Sequence, residues 1–210
     1  MPKRPYRAAL ADSVVLEELG VRAREIVFEA RKLIEEQGLE ALTMRYLAQR
    51  LGMRAPSLYK HFANKESLEA LLISIGFEEQ ANLFESALRS SRQPLIAMAR
   101  AYRAYAQDHP GLYRLMYDRE LNRRLLREGS EQRAVLPVVM ATGGDRDLAR
   151  AAFAFAHGMT ILELNRRFPP AADLDAAWRR GVTALQKSVA SRNRRRRNRQ
   201  ARSGRSPRRR

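Results

Sequence analysis

From residue 21 onward, the hydrophobic positions fall into a helical rhythm. Ala23, Ile26, Val27, Ala30, Leu33 and Ile34 recur three and four residues apart, which puts them on one face of a helix. Gln37 and Gly38 end that helix, since glycine takes a left-handed cap without steric penalty. Thr43 offers an N-cap hydroxyl to a second, short helix that stops at Leu51 and Gly52. Ala55 and Pro56 open a third, because proline suits a first turn where its missing N–H would have no partner anyway. Asn64 caps a fourth, long helix carrying Leu68, Leu71, Leu72, Ile75, Leu83 and Phe84.

Beyond Arg92 the pattern stays helical and predicts helices at 94–108, 111–117, 119–128, 131–142, 145–167 and 173–190. They are separated by Pro94, Pro110 with Gly111, Gly129 with Ser130, Gly143 with Gly144, and Pro169 with Pro170. No stretch alternates like a strand, and no segment repeats. The expected fold is all-α: a group of short helices followed by a helical bundle. The expected boundaries are a flexible N-terminal arm at 1–20, a first helical domain at 21–80, a second at 81–190, and a tail at 191–210. The tail has almost no apolar residue with which to order itself and is expected to be disordered.

Charge sharpens this picture. The net charge is +17, but the tail alone holds eleven arginines and no acid, which leaves a mildly basic +6 for residues 1–190. The chain has no cysteine, which excludes disulfides, thiolate metal sites and cysteine nucleophiles. No secretion signal is visible, since Asp12, Glu17 and Glu18 interrupt the apolar stretch near the N-terminus. The longest apolar run, 148–162, contains Arg150 and His157 and is too short to span a bilayer. A cytoplasmic protein with no membrane partner is expected.

The informative stretch is 43–65. Leu47, Ala48, Leu51, Met53, Leu58 and Phe62 are expected to pack inward, and Arg45, Arg50, Arg54, Ser57, Tyr59, Lys60, His61 and Lys65 to face outward. Five Lys or Arg and no acid fall in these 23 positions, whereas the preceding helix holds Glu25, Glu29, Glu35 and Glu36. A phosphate-facing surface needs such a switch to positive charge.

On Gly38, Leu42, Thr43, Leu47, Ala48, Leu51, Gly52, Ser57, Leu58, Tyr59, His61, Phe62, Asn64, Lys65 and Glu66, in this order and spacing, the chain resembles the Tet-repressor family of transcription regulators over roughly residues 21–80. A looser resemblance to one of the family's regulatory domains rests on the strings at 109–113 and 156–159. Together they imply a three-helix helix-turn-helix DNA-binding domain at 21–80, with its motif at 43–62, joined to a helical-bundle ligand-binding and dimerisation domain at 81–190, in a protein that acts at the nucleoid through DNA. The resemblance implies that Thr43 and Arg45 touch the DNA backbone or a base edge. It implies that Arg54, Ala55, Pro56 and Ser57 begin the recognition helix in the major groove. Tyr59, His61 and Lys65 would bind phosphates, and Lys60 would read a base. Plainer readings stand beside these: Thr43 as a cap alone, Arg50 as a solvated surface charge, Tyr59 as a core aromatic.

The second half carries no catalytic or phosphate-binding motif and no histidine pair at metal spacing, so neither an enzyme nor a cofactor nor a metal is expected. Met98, Tyr102, Tyr105, Tyr113, Met116, Tyr117, Met140, Phe153, His157 and Met159 are core candidates that would also suit the wall of an effector cavity. The helix at 145–167 is apolar nearly all round and asks for burial on more than one side. Ala152, Phe155, Ala156 and Leu162, with Trp178, Val182 and Leu185, are therefore expected at the seam of a homodimer, whose two-fold symmetry would match a palindromic double-stranded operator. The expected function is a ligand-responsive repressor with a small-molecule effector. The alternative is a sequence-tolerant DNA-packaging protein driven by the basic tail.

Overall fold

The computed structural model describes the backbone of residues 14–203 as helices joined by short turns, with no strand among the described residues. In chain order these are α1 (Val14–Glu17), α2 (Val21–Gln37), a 3-10 turn (Leu39–Ala41), α3 (Met44–Arg50), α4 (Ala55–Tyr59), α5 (Lys65–Ser90), α6 (Pro94–Asp108), α7 (Pro110–Tyr117), α8 (Ser130–Ala141), α9 (Arg146–Leu164) and α10 (Leu174–Ser203). The all-α reading holds. Residues 1–13 of the expected arm and 204–210 of the expected tail lie outside the described residues.

The chain forms two compact units. One joins the residues up to Phe84 with Tyr102–Val135; the other joins Glu85–Ala101 with the chain from Leu136 onward. The helix-turn-helix therefore shares its unit with α7 and much of α6, which the expected boundary at residue 80 placed in the other domain.

In the first unit the apolar face of α2 (Ile26, Val27, Ala30, Leu33 and Ile34) meets Leu47 of α3, Leu58 of α4, Phe62, and Leu68, Leu72 and Ile75 of α5. Full burial of each Leu or Ile contributes about 1.5–3 kcal/mol, so this cluster holds the short helices α3 and α4, which are too short to persist alone. Gly111 of α7 lies so close to α2 that a Cβ there would stand 2.4 Å from the Ile34 carbonyl oxygen. Arg31, on the same helix, is wholly buried and forms a two-pronged ion pair with Glu79 of α5, which also accepts from the Tyr105 hydroxyl at 2.8 Å.

Three segments differ from the expectation. Residues 14–17 are not part of a loose arm: Val15 and Leu16 are buried in the core, and the Val14 N–H donates to Glu78 at 3.0 Å. Three apolar residues are too few to show periodicity, so burial decided what pattern did not. The expected helix at 119–128 is a run of turns. Asn122 Oδ1 accepts from the Arg124 N–H, and the Arg127 N–H donates to Ser74 Oγ at 3.0 Å. These bonds offer the backbone an alternative to the helical ladder. Finally, α10 does not stop at 190 but runs to Ser203. No Gly or Pro interrupts 182–203, and extending an existing helix needs no new nucleus.

In the second unit Asp145 caps α9 by accepting from the Asp147 and Leu148 N–H groups at 3.1 Å. Phe155 of α9 meets Trp178 of α10 edge to face, with ring centroids 5.7 Å apart, and the indole N–H donates to Glu163.

Candidate nucleic-acid interface

The site is assembled from three local devices. Thr43 Oγ1 accepts from the Tyr46 N–H at 3.2 Å and so starts α3. Between α3 and α4 the chain reverses at Gly52, whose φ of +62° is costly for any residue with a Cβ. The next N–H, of Met53, closes the turn on the Ala48 carbonyl at 2.9 Å. Asn64 and Ser67 then cap α5 reciprocally: Asn64 Oδ1 accepts from the Ser67 N–H at 2.8 Å, and Ser67 Oγ from the Asn64 N–H at 3.3 Å.

On this frame Leu47, Ala48, Leu58 and Phe62 are buried, and Leu51 and Met53 are half-buried against the same core. Thr43, Arg45, Arg54, Pro56, Lys60 and His61 are exposed, Ala55, Ser57 and Lys65 half-buried. Tyr59 is 49% exposed, so it is no core aromatic. Gln49 also reaches the surface of α3, a neutral residue that the charge pattern did not single out.

The five cations divide into two groups. Arg50 Nε donates to Glu29 at 2.5 Å and Nη2 to Glu36 at 3.2 Å, which ties α3 to α2. Those hydrogen bonds, the Glu29 one foremost, hold its pKa above the ordinary value. Lys65 lies 3.4 Å from Glu69, one turn along α5. By contrast, Arg45, Arg54 and Lys60 meet no carboxylate within ion-pair distance among the described residues. Glu29 and Glu36, seven residues apart on one helix face, are the signal that separates Arg50 from these three.

The residues expected to wall a cavity do not share one environment. Tyr102, Tyr105, Tyr113 and Met116 are buried in the first unit. The Tyr102 and Tyr113 hydroxyls lie 3.0 Å apart, and the Tyr117 hydroxyl donates to Gln80 Oε1 at 2.7 Å. Burial pushes the Tyr102, Tyr105 and Tyr117 hydroxyls far up, so all three stay neutral. In the second unit Met98 is buried, His157 and Met159 are half-buried, and Met140 and Phe153 are exposed. Of the expected seam, Ala156, Trp178 and Val182 are already buried within one chain, because α9 and α10 pack on each other. Ala152, Phe155 and Leu185 are half-buried, and Leu162 is exposed.

Comparison with known proteins agrees with this architecture. Residues 26–70 match the model described as bacterial regulatory proteins, tetR family, and residues 95–185 match that of the tetracyclin repressor-like C-terminal domain. The chain is 31% identical over 109 residues to an uncharacterized HTH-type transcriptional regulator of Mycobacterium tuberculosis, covering 51% of this chain and 50% of the relative. It is 34% identical over 98 residues to the class A tetracycline repressor protein from transposon 1721 in Escherichia coli, covering 41% of this chain and 45% of the relative. The chain thus spans about half the length of these curated relatives. A solved structure of a protein of unknown function from Rhodococcus sp. RHA1 superposes with a TM-score of 0.68 at 21% identity, covering 81% of this chain and 96% of that one, a likeness of fold.

Proposed function

Because the chain belongs to the tetR family of bacterial regulatory proteins, we propose that it is a cytoplasmic transcriptional repressor that binds a palindromic DNA operator as a homodimer and releases it when a small molecule binds. The observation that carries this reading is the set of exposed cations Arg45, Arg54 and Lys60, without carboxylate partners, around a short α4 whose opposite side is locked in the core. Helix α4 enters the major groove with Arg54, Ala55, Pro56 and Ser57 leading, and Lys60 reads a base edge. Tyr59 and His61 bond phosphate oxygens; Arg45 and the Thr43 hydroxyl, which also caps α3, hold the flanking backbone. Phosphate contacts set register, and base contacts set sequence. Lys65 clamps a further phosphate only by sharing its charge with Glu69.

Two α4 helices one DNA turn apart, about 34–36 Å, fit a palindrome. An effector that favours one of two dimer poses needs a coupling of only about 1–3 kcal/mol to act. The buried tyrosines of α6 and α7, together with the likeness to a tetracycline repressor protein, support a regulated rather than a constitutive binder.

The test is to recover genomic fragments bound by the full chain and to repeat the selection with Arg54→Glu. Enrichment of one palindromic site by the full chain, lost in the variant, is expected. Equal recovery of all sequences by both proteins refutes the reading and favours a packaging protein.

A further inference from the structure

The arginines that the sequence places in a tail lie, up to residue 202, on a continuous helix. Helix α10 starts at Leu174, buries Trp178, Val182 and Val189, and continues without a break to Ser203. By helical register Arg192, Arg195, Arg196, Arg199 and Arg202 follow the steps i, i+3, i+4, i+7 and i+10 and so share one side of that helix. Arg194 and Arg197 fall on the other side. We propose that this arginine-bearing half of α10 is a second DNA-binding element, which grips the duplex backbone without reading sequence.

The partner is named by what the segment has and lacks. From 190 to 203 there is no aromatic residue, so single-stranded bases find no aromatic platform on which to stack. Alanine is the only apolar type there, at 190 and 201, so no apolar face exists to enter a bilayer. No acid offsets the charge. What remains is a helical stretch whose sequence is dominated by arginine. The five arginines span about 15 Å along the axis at 1.5 Å per residue, a length over which duplex DNA presents a phosphate charge about every 1.7 Å. Like charges at i,i+4, such as Arg192 with Arg196 and Arg195 with Arg199, work against the helix in free solution. A polyanion cancels that repulsion, so binding and helix formation reinforce each other.

This element rests on the operator-binding reading only for its biological use, and the experiment separates the two. Salt dependence of binding is measured for the full chain on a random-sequence duplex of about three helical turns, on single-stranded RNA of equal length and on phosphatidylserine vesicles. The variant carries Arg192→Gln, Arg195→Gln, Arg196→Gln, Arg199→Gln and Arg202→Gln. Each phosphate that is no longer neutralised makes the slope of log affinity against log salt shallower by about 0.9, so the variant is expected to lose about four to five units on the duplex. A companion variant, Arg194→Gln with Arg197→Gln, is expected to change the slope by less than one unit. Arg54→Glu, in the helix-turn-helix, is expected to keep steep random-duplex binding even if no operator is ever found. An unchanged duplex slope in the five-fold variant overturns the proposal. So does preferential loss of RNA or vesicle binding, and an equal loss per arginine in the companion variant overturns the one-sided geometry.

Discussion

The Glu35 carboxylate of α2 closes the N-terminus of α7: it accepts from the Gly111 N–H at 2.8 Å and from the Leu112 N–H at 3.0 Å. Backbone N–H groups in the first turn of a helix have no partner within it, and here a side chain 76 residues away supplies one. The pair of bonds ties the helix that precedes the DNA-binding motif to a helix of the buried tyrosine cluster.

Glu35 makes the stability of this junction depend on pH. Burial raises its pKa above the ordinary 4.5, against the lowering by the two N–H donors and Arg31. A carboxyl whose folded pKa lies above its unfolded one contributes stability that is fully present below the unfolded value and is lost as pH rises through the folded value. Relative to Glu35→Gln, the natural protein should therefore lose unfolding free energy as pH climbs from about 4.5 toward neutral. Denaturant titrations of both proteins across that range check it; a natural protein that gains stability over Glu35→Gln as pH rises contradicts the assignment.

Gly111→Ala should destabilise the fold by about 1–3 kcal/mol, the usual cost of overpacking. The added Cβ would lie 2.4 Å from the Ile34 carbonyl oxygen and 2.9 Å from the Glu35 backbone nitrogen, main-chain atoms that cannot swing aside. A fall in the denaturant midpoint at unchanged slope is the expected reading.

Glu79→Leu leaves Arg31, with no exposed surface, as an uncompensated buried charge. Burial by itself lowers the Arg31 pKa; the neighbouring Glu79, Tyr105 and Glu35 reverse this and hold it above the ordinary value. Losing one partner of such a pair costs about 3–5 kcal/mol, while replacing both with apolar residues is often neutral. The double variant Arg31→Met with Glu79→Leu should thus be more stable than Glu79→Leu alone, as a double-mutant cycle in calorimetry would register.

On the recognition surface, Lys60→Ala and Tyr59→Phe should part ways. Removing a base reader costs about 1–3 kcal/mol at one position of the site and relaxes preference there. Removing a phosphate ligand weakens every sequence alike. Competition of single-base operator variants against each protein separates the two; uniform weakening by Lys60→Ala would remove it from the readers.

Leu162 remains exposed on α9 in the single chain. If α9 forms the homodimer seam, Leu162→Glu should shift the protein toward monomer in sedimentation and weaken operator binding together, with the helical content unchanged. A dimer of undiminished strength would move the seam elsewhere.

Much of the DNA-binding half could be read directly from the sequence. The rhythm of Ile26, Leu33, Leu47, Leu58 and Phe62, the caps at Thr43 and Asn64, and the turn at Gly52 are local properties, and each recurs in the fold at its expected place. Arg50 shows where locality ends: its pattern is that of Arg45 and Arg54, and only the approach of α2, bringing Glu29 and Glu36, withdraws it from the surface charge available to DNA. The same holds for Arg31, a polar position in a helix that three other elements enclose, for Val15 and Leu16, and for Asn122, whose side chain takes the backbone out of a helix that its neighbours favour. Helical periodicity and capping depend on residues within one or two turns, so a linear chain displays them. Burial, ion pairing across 48 residues, as for Arg31 and Glu79, and the near approach at Gly111 depend on which segments meet in space, and that is decided only when the helices pack.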